Sequence, residues 1–298
     1  MNLRIRPLLA ICLLAFGGLA QAADLGGAGY AENFDELGST GKTLPTGWTV
    51  WTGASSTSHS TWTTAITANG SSNSVASMVS ATGGITSALL DTSFANAKSS
   101  SAAYNLAHAA TSTDRTLATS ATGTDGMALQ LALTNATGSA LNGIYVSYDI
   151  DKFTDGVKQS STTAGLPIGE ELPGYELFFS LDSGSTWTNV AGLNPVSSAD
   201  GVHPVIATGT SAASGGTAPL DYSVTSIGKT WVSFGSTVAA GQSVLLRWVD
   251  DNAVNISPDQ VIGLNNVSVS AVPEPDSIAL MAAGLGLLGV SLRRRMQK

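Results

Sequence analysis

The densest run of hard oxygen ligands in this 298-residue chain is Asp250-Asp251-Asn252, with Asp259 close behind. Calcium takes roughly six to eight oxygens, and carboxylates, amides and carbonyls on one loop supply them. These four residues are therefore the expected metal site, with Glu32, Asn33 or Asp35 as partners from an earlier stretch. A solvated acidic turn is the plainer alternative, because the glycine and distal glutamate of an EF-hand loop are missing. Glu170, Glu171 and Glu176 raise a second chemistry. A glycoside hydrolase needs two carboxylates at a set separation across the sugar, and Glu171 and Glu176 bracket a Pro173-Gly174 bend. Nothing in the sequence marks either as an acid or a nucleophile. His59, His108 and His203 are scattered and lack ligand spacing. There is no Gly-x-Ser-x-Gly elbow and no glycine loop that would cradle a phosphate. The expectation is no enzyme and no cofactor, calcium apart.

The tryptophans suggest a third chemistry. Flat indoles stack on sugar faces and offer an N–H as a polar handle. Trp48, Trp51 and Trp62 lie in polar, Ser/Thr-rich sequence and are the expected glycan contacts. Trp248 alternates with aliphatic residues and reads as core, and Trp231 is grouped with it.

Such residues need a scaffold, and the scaffold is written in period-two runs, the mark of half-buried strands. Met127, Leu129, Leu131 and Leu133 share a face. So do Ile144, Val146, Tyr148 and Ile150, with Tyr145, Ser147 and Asp149 opposite. Tyr175, Leu177, Phe179 and Leu181 form a third set. Val244, Leu246 and Trp248 form a fourth, with Arg247 on the other side. Thr134 to Gly138, Asp182-Ser183-Gly184 and Ala240-Gly241-Gln242 supply the turns. Ile262 and Leu264 take one parity and Val267 and Val269 the other, which a bulge at Asn265-Asn266 would reconcile. These features predict an all-β antiparallel sandwich. An alanine-rich stretch, Phe94 to Ala110, is the best helix candidate. Between the runs lie Ser/Thr/Ala/Gly-rich segments such as 52–64 and 207–219, which read as loops or strand edges.

Between Asp24 and Asp276 the chain carries 21 acidic and seven basic residues, a net charge of −14. Nucleic acids and anionic membrane surfaces need basic patches, so neither is an expected partner. Cys12 is the only cysteine. It sits in an amino-terminal segment with Arg4 and Arg6 ahead of an apolar core and Ala20-Gln21-Ala22 at its end, the pattern of a secretory signal peptide cut before Ala23. Residues 1–22 are therefore set apart as a signal read by the Sec translocon, and the mature body is expected to hold no disulfide.

At the other end, Val272-Pro273-Glu274-Pro275 precedes an uncharged run from Ser277 to Leu292 and the cluster Arg293, Arg294, Arg295. The run is long enough to approach the ~17–25 residues of a transmembrane helix, and the arginines act as a membrane stop by the positive-inside rule. This pattern resembles the PEP-CTERM sorting signal of Gram-negative bacteria. The resemblance implies an inner-membrane intermediate, recognition by an exosortase-like enzyme, removal of the helix near Pro-Glu-Pro, and delivery to the cell surface or an exopolysaccharide-rich biofilm matrix. Two further stretches resemble bacterial jelly-roll modules: 33–48 looks like their opening strand and loop, and LLRWVDDN with IGLNNVSVSA like their closing strands. The closing pattern usually has an aspartate where this chain has Asn265, a departure that counts against calcium there. The resemblance implies one sandwich over 23–271, with 51–126 and 195–220 as decoration, followed by a sorting signal over 272–298. The sequence thus reads as an exported, non-catalytic structural or adhesive protein that contacts exopolysaccharide. A secreted glycan hydrolase and a surface protein retained by an uncut tail are the alternatives.

Overall fold

The structure is a computed structural model, and it describes residues 21–54, 67–70, 74–81, 83–88, 101–109, 112–121, 124–154, 174–196, 199–206, 220–251 and 260–271. Fourteen strands and three short 3-10 turns make up the regular structure of the described residues. The strands are β1 (Ala23–Leu25), β2 (Tyr30–Glu32), β3 (Trp48–Thr52), β4 (Val79–Ser80), β5 (Ile85–Ala88), β6 (Ala102–Leu106), β7 (Thr116–Ser120), β8 (Gly126–Asn135), β9 (Leu141–Thr154), β10 (Glu176–Ser180), β11 (Thr188–Asn189), β12 (Leu220–Val238), β13 (Ser243–Asp251) and β14 (Val261–Ala271). They form two sheets. The first runs β11-β10-β13-β8-β3-β4, with β1 added parallel to β8; the second runs β12-β9-β14-β7-β6-β5, with β2 added to β14.

The period-two runs explain the packing. Leu129, Leu131 and Leu133 of β8, Leu246 and Trp248 of β13, and Leu177 of β10 turn inward from the first sheet. They meet Ile144, Val146, Tyr148 and Ile150 of β9 and Leu264 and Val269 of β14 from the second. The chain is all-β, and its two sheets bury one shared core in the manner of a β-sandwich. The aromatic centre crosses that interface. Trp248 stacks on Trp48 at 5.6 Å and takes Tyr148 edge-on at 5.7 Å. Phe179 and Phe234 meet at 5.4 Å further along.

The bulge is where the sequence placed it. The register of β14 against β9 slips between Asn265 and Ser268, and Asn266 takes a left-handed φ of 47°. Asparagine tolerates that conformation better than most residues. The slip lets Leu264 and Val267 both reach the core despite their opposite parity.

Two expectations change. Within the alanine-rich stretch, Ala102–Leu106 is a strand, not a helix, and every one of its residues is buried. It is hydrogen-bonded between β5 and β7, so tertiary pairing overrides alanine's helix propensity. Residues 51–126 are not decoration, because β4 closes an edge of the first sheet and β5, β6 and β7 build a flank of the second. The closing strands β13 and β14 do not pair with each other; they sit in opposite sheets.

Trp248→Ala removes the ring that both sheets share. It should cost about 3–5 kcal/mol of unfolding free energy, read by urea denaturation as a lower midpoint.

Candidate functional site

The outer face of the first sheet carries the most built-up polar arrangement. In register across three strands lie Thr49 of β3, Gln130 of β8 and Arg247 of β13. Strand alternation sends these residues out while their neighbours Trp48, Leu129, Leu131 and Trp248 go in. Arg247 is only 2% exposed. Its guanidinium lies 4.1 Å from the ring centres of both Trp51 and Trp187, one on each side. Its Nε donates to Gln130 Oε1 at 3.0 Å, its Nη2 donates to the same oxygen, and its Nη1 donates to the Val75 carbonyl at 2.6 Å. Burial lowers its pKa to about 9. No carboxylate pairs with it among the described residues.

The surrounding residues hold this assembly still. The Trp187 backbone N–H donates to Asn69 Oδ1 at 3.0 Å, and Asn69 Nδ2 returns a bond to the Trp187 carbonyl at 3.1 Å. The Trp187 indole donates to the Gly184 carbonyl, and the Trp51 indole donates to Thr49 Oγ1 at 2.9 Å. Beside the rung lies a groove of about 630 Å³, lined among others by Thr49, Trp51, Gln130, Gly184, Ser243 and Arg247. An aromatic wall, hydroxyls and amide donors in one groove suit a sugar.

The expected glycan contacts therefore separate. Trp51 is partly exposed and lines the groove. Trp48 is a correction: at 2% exposure it is core, stacked on Trp248, edge-on to Phe34 at 5.1 Å, with its N–H donating to Tyr30 Oη at 2.7 Å. Three residues along a strand reverses the face, so Trp48 and Trp51 cannot share a surface. Trp62 lies outside the described residues. Trp231, grouped with the core, is instead 39% exposed and covers Gly143, where a Cβ would come within 2.4 Å of its ring. Trp187 was one of the six tryptophans open to a glycan role but was not singled out, and Gln130 and Asn69 carried no sequence signal. Arg247 facing away from an aliphatic strand face was the one signal.

The acidic residues do not gather as expected. Asp250 is buried between the sheets, where Thr119 Oγ1 of β7 donates to its Oδ2 at 2.6 Å and Gln260 Nε2 approaches its Oδ1 at 3.4 Å. Asp251, next along β13, is sent by the pleat to the opposite face, the side of Val249. The two carboxylates thus do not converge on one ion; Asn252 and Asp259 lie outside the described residues. Asp35 is also elsewhere. Its Oδ1 accepts the Arg115 backbone N–H at 2.9 Å, four positions along the chain from Thr119. Among the described residues no group of three or more His, Cys, Asp or Glu forms a metal-ligand set.

A separate acidic group sits at the bulge. Asn265 Nδ2 donates to Asp114 Oδ1 at 3.0 Å and reaches Asp151 Oδ2 at 3.5 Å, while Asn266 Nδ2 donates to Asp149 Oδ2 at 2.8 Å. Thr116 donates its hydroxyl to Asp151. Burial, with the charges of Asp114 and Asp149, raises the Asp151 pKa to about 6. Amide donors thus meet three carboxylates at the bulge. The histidines stay apart: His108 stacks on Tyr222 at 3.7 Å, and His203 contacts Asp200. Glu176 is 2% exposed in β10, and burial pushes its pKa to about 8; Glu170, Glu171 and His59 lie outside the described residues.

Comparison with known families matches residues 271–295 to the PEP-CTERM protein-sorting motif. The chain carries that motif. It marks an exported protein sorted through an exosortase-type system by way of a membrane-anchored intermediate. The match begins at Ala271, the last residue of β14; Val272 to Pro275, the apolar run and Arg293 to Arg295 lie outside the described residues. Among the described residues no helix is long and apolar enough to cross a membrane. No curated protein matches the chain.

Glu176 gives a pH test. Its folded pKa lies above the unfolded value, so the folded state holds a proton the unfolded state has lost between pH 4.5 and about 8. Stability must therefore fall as pH rises through that window. Glu176→Gln stays neutral throughout. It should flatten the decline and be more stable than the parent at pH 8 by about 1–3 kcal/mol, measured as unfolding free energy across pH 5 to 8.

Proposed function

We propose that this is a non-catalytic structural or adhesive protein of the cell surface or extracellular matrix, a jelly-roll-type β-sandwich that contacts exopolysaccharide. The observation that carries this reading is the sorting motif starting where the last core strand ends. An amino-terminal signal removed after Ala22 by the Sec pathway fits the same plan, since β1 starts at Ala23. The exosortase-type enzyme then cuts near Pro273-Glu274-Pro275 and releases the body from the inner membrane.

The groove beside Trp51 supports glycan contact. The burial of Glu176 on a strand speaks for a binding role over hydrolysis, because a hydrolytic acid has to touch the glycosidic oxygen.

The sorting part is tested in a host with an exosortase-type system. The full chain should yield a surface or medium fraction whose carboxyl-terminal peptide, by mass spectrometry, stops near Pro-Glu-Pro. A variant with alanine at Pro273 and Glu274 should stay in the inner membrane with Arg293 to Arg295 intact. An untrimmed tail on surface-located parent protein would sink the release step and leave a membrane-retained protein.

A further inference from the structure

The groove's polar groups are unbalanced in one direction. A guanidinium has five N–H donors. Arg247 spends three of them, on Gln130 Oε1 and the Val75 carbonyl. Two remain without a partner among the described residues. Gln130 is constrained in turn. Its carbonyl oxygen is fixed toward Arg247 by two charge-assisted bonds, so its NH₂ group must point away. That NH₂ has no hydrogen-bond partner among the described residues, and Gln130 lines the groove. The hydroxyl of Thr49, next along the same rung, accepts from Trp51 and keeps its own proton to give. Among the residues lining the groove there is one formal charge, and it is positive.

A buried cation is costly unless something negative or strongly polar faces it. The two indole faces repay part of that cost. Arg247 lines the groove, and no acidic residue lines it alongside. An acceptor-rich anion completes this arrangement; a neutral hydroxyl would meet only its polar half.

From this we infer that the groove binds a carboxylate-bearing saccharide, a uronic acid residue, with the carboxylate received by Arg247 and the Gln130 amide and the sugar ring against Trp51. This deepens the glycan-contact reading and rests on it. The chain's net negative charge opposes a long polyanion at a distance, but that repulsion is screened beyond about 8 Å at physiological salt. A short uronate is therefore the proper probe.

The test is calorimetric titration of the full chain in neutral detergent at 0.15 M salt. The ligands are trigalacturonate and the same trisaccharide with its carboxyl groups reduced to CH₂OH. The acidic form should bind at least ten-fold more tightly. Gln130→Glu then supplies Arg247 with a carboxylate from within and replaces the free amide donor by an acceptor. It should erase the acidic preference while leaving the melting temperature unchanged or raised. Thr49→Asp, on a partly exposed position of the same rung, should do the same without touching the Arg247 bonds. Equal binding of both trisaccharides would overturn the carboxylate inference and leave glycan contact standing. Binding of neither would overturn both. An acidic preference that survives Gln130→Glu and Thr49→Asp would place the site elsewhere and overturn the assignment to this groove.

Discussion

The pleat of β13 is the constraint on which the rest depends. It lies inside the first sheet, between β10 and β8, and every second residue must face the opposite way. Trp248 goes inward and joins the two sheets through Trp48 and Tyr148. Arg247 goes outward and collects Trp51, Trp187, Gln130 and the 3-10 turn at Val75. Asp250 goes inward again at the end of the strand and ties the first sheet to Thr119 of the second. A slip of one residue would put an arginine in the core and a tryptophan on the surface, so core and outer face enforce the same register. The rung Thr49–Gln130–Arg247 exists because the alignment that buries Trp48, Leu131 and Trp248 also sets it.

An exported chain whose only cysteine lies in its first dozen residues has no disulfide to hold its body, and its buried polar groups show how it manages. Several buried charges are handled locally. Arg247 is flanked by indoles and carbonyl oxygens. Asp151 receives a threonine hydroxyl and an asparagine amide, and Glu176 is pushed toward its neutral form. Asn105 serves Arg115 in the same way, accepting from its Nε at 2.7 Å while its own amide donates to the Gly38 and Gly41 carbonyls. Around Arg247 and Asp151 a neutral amide, carbonyl or hydroxyl stands where a counter-ion could. Such solutions lose little to salt, because a hydrogen bond between buried groups is screened far less than an exposed ion pair.

Much of the fold was legible because period two is a direct physical readout. Leu129, Ile150, Leu177 and Leu246 were assigned to the core by alternation alone, and the parity break at Asn265-Asn266 located the bulge. What failed did so for identifiable reasons. Ala102 to Leu106 has no alternation, because both of its faces are covered, and its alanines then suggest a helix. Trp48 and Trp51 share a polar context, and composition cannot separate them. Only the register of β3 against β8, Trp48 on Leu131 and Trp51 on Ala128, sends one inward and the other out. Asp250 and Asp251 looked like one cluster because adjacency in sequence was read as adjacency in space, which a strand forbids. The groove was least legible, since Asn69, Val75, Gln130, Trp187 and Arg247 come from four distant parts of the chain.

The join between body and sorting motif follows from the same ladder chemistry. β14 is a central strand, hydrogen-bonded to β9 and β7, and it ends at Ala271. Pro273 has no N–H to donate, so a ladder cannot continue through it. β14 ends two residues before that proline. Five residues, Val272 to Asp276, separate β14 from the uncharged run, a span of at most ~18 Å when extended. The amino-terminal end meets the same corner. Gly29, between β1 and β2, takes φ +88° against β14, so near the Val269 carbonyl that a Cβ would come within 2.7 Å. β1 adds to β8 of the first sheet and β2 to β14 of the second, so the amino-terminal segment braces both sheets beside the strand that ends at Ala271.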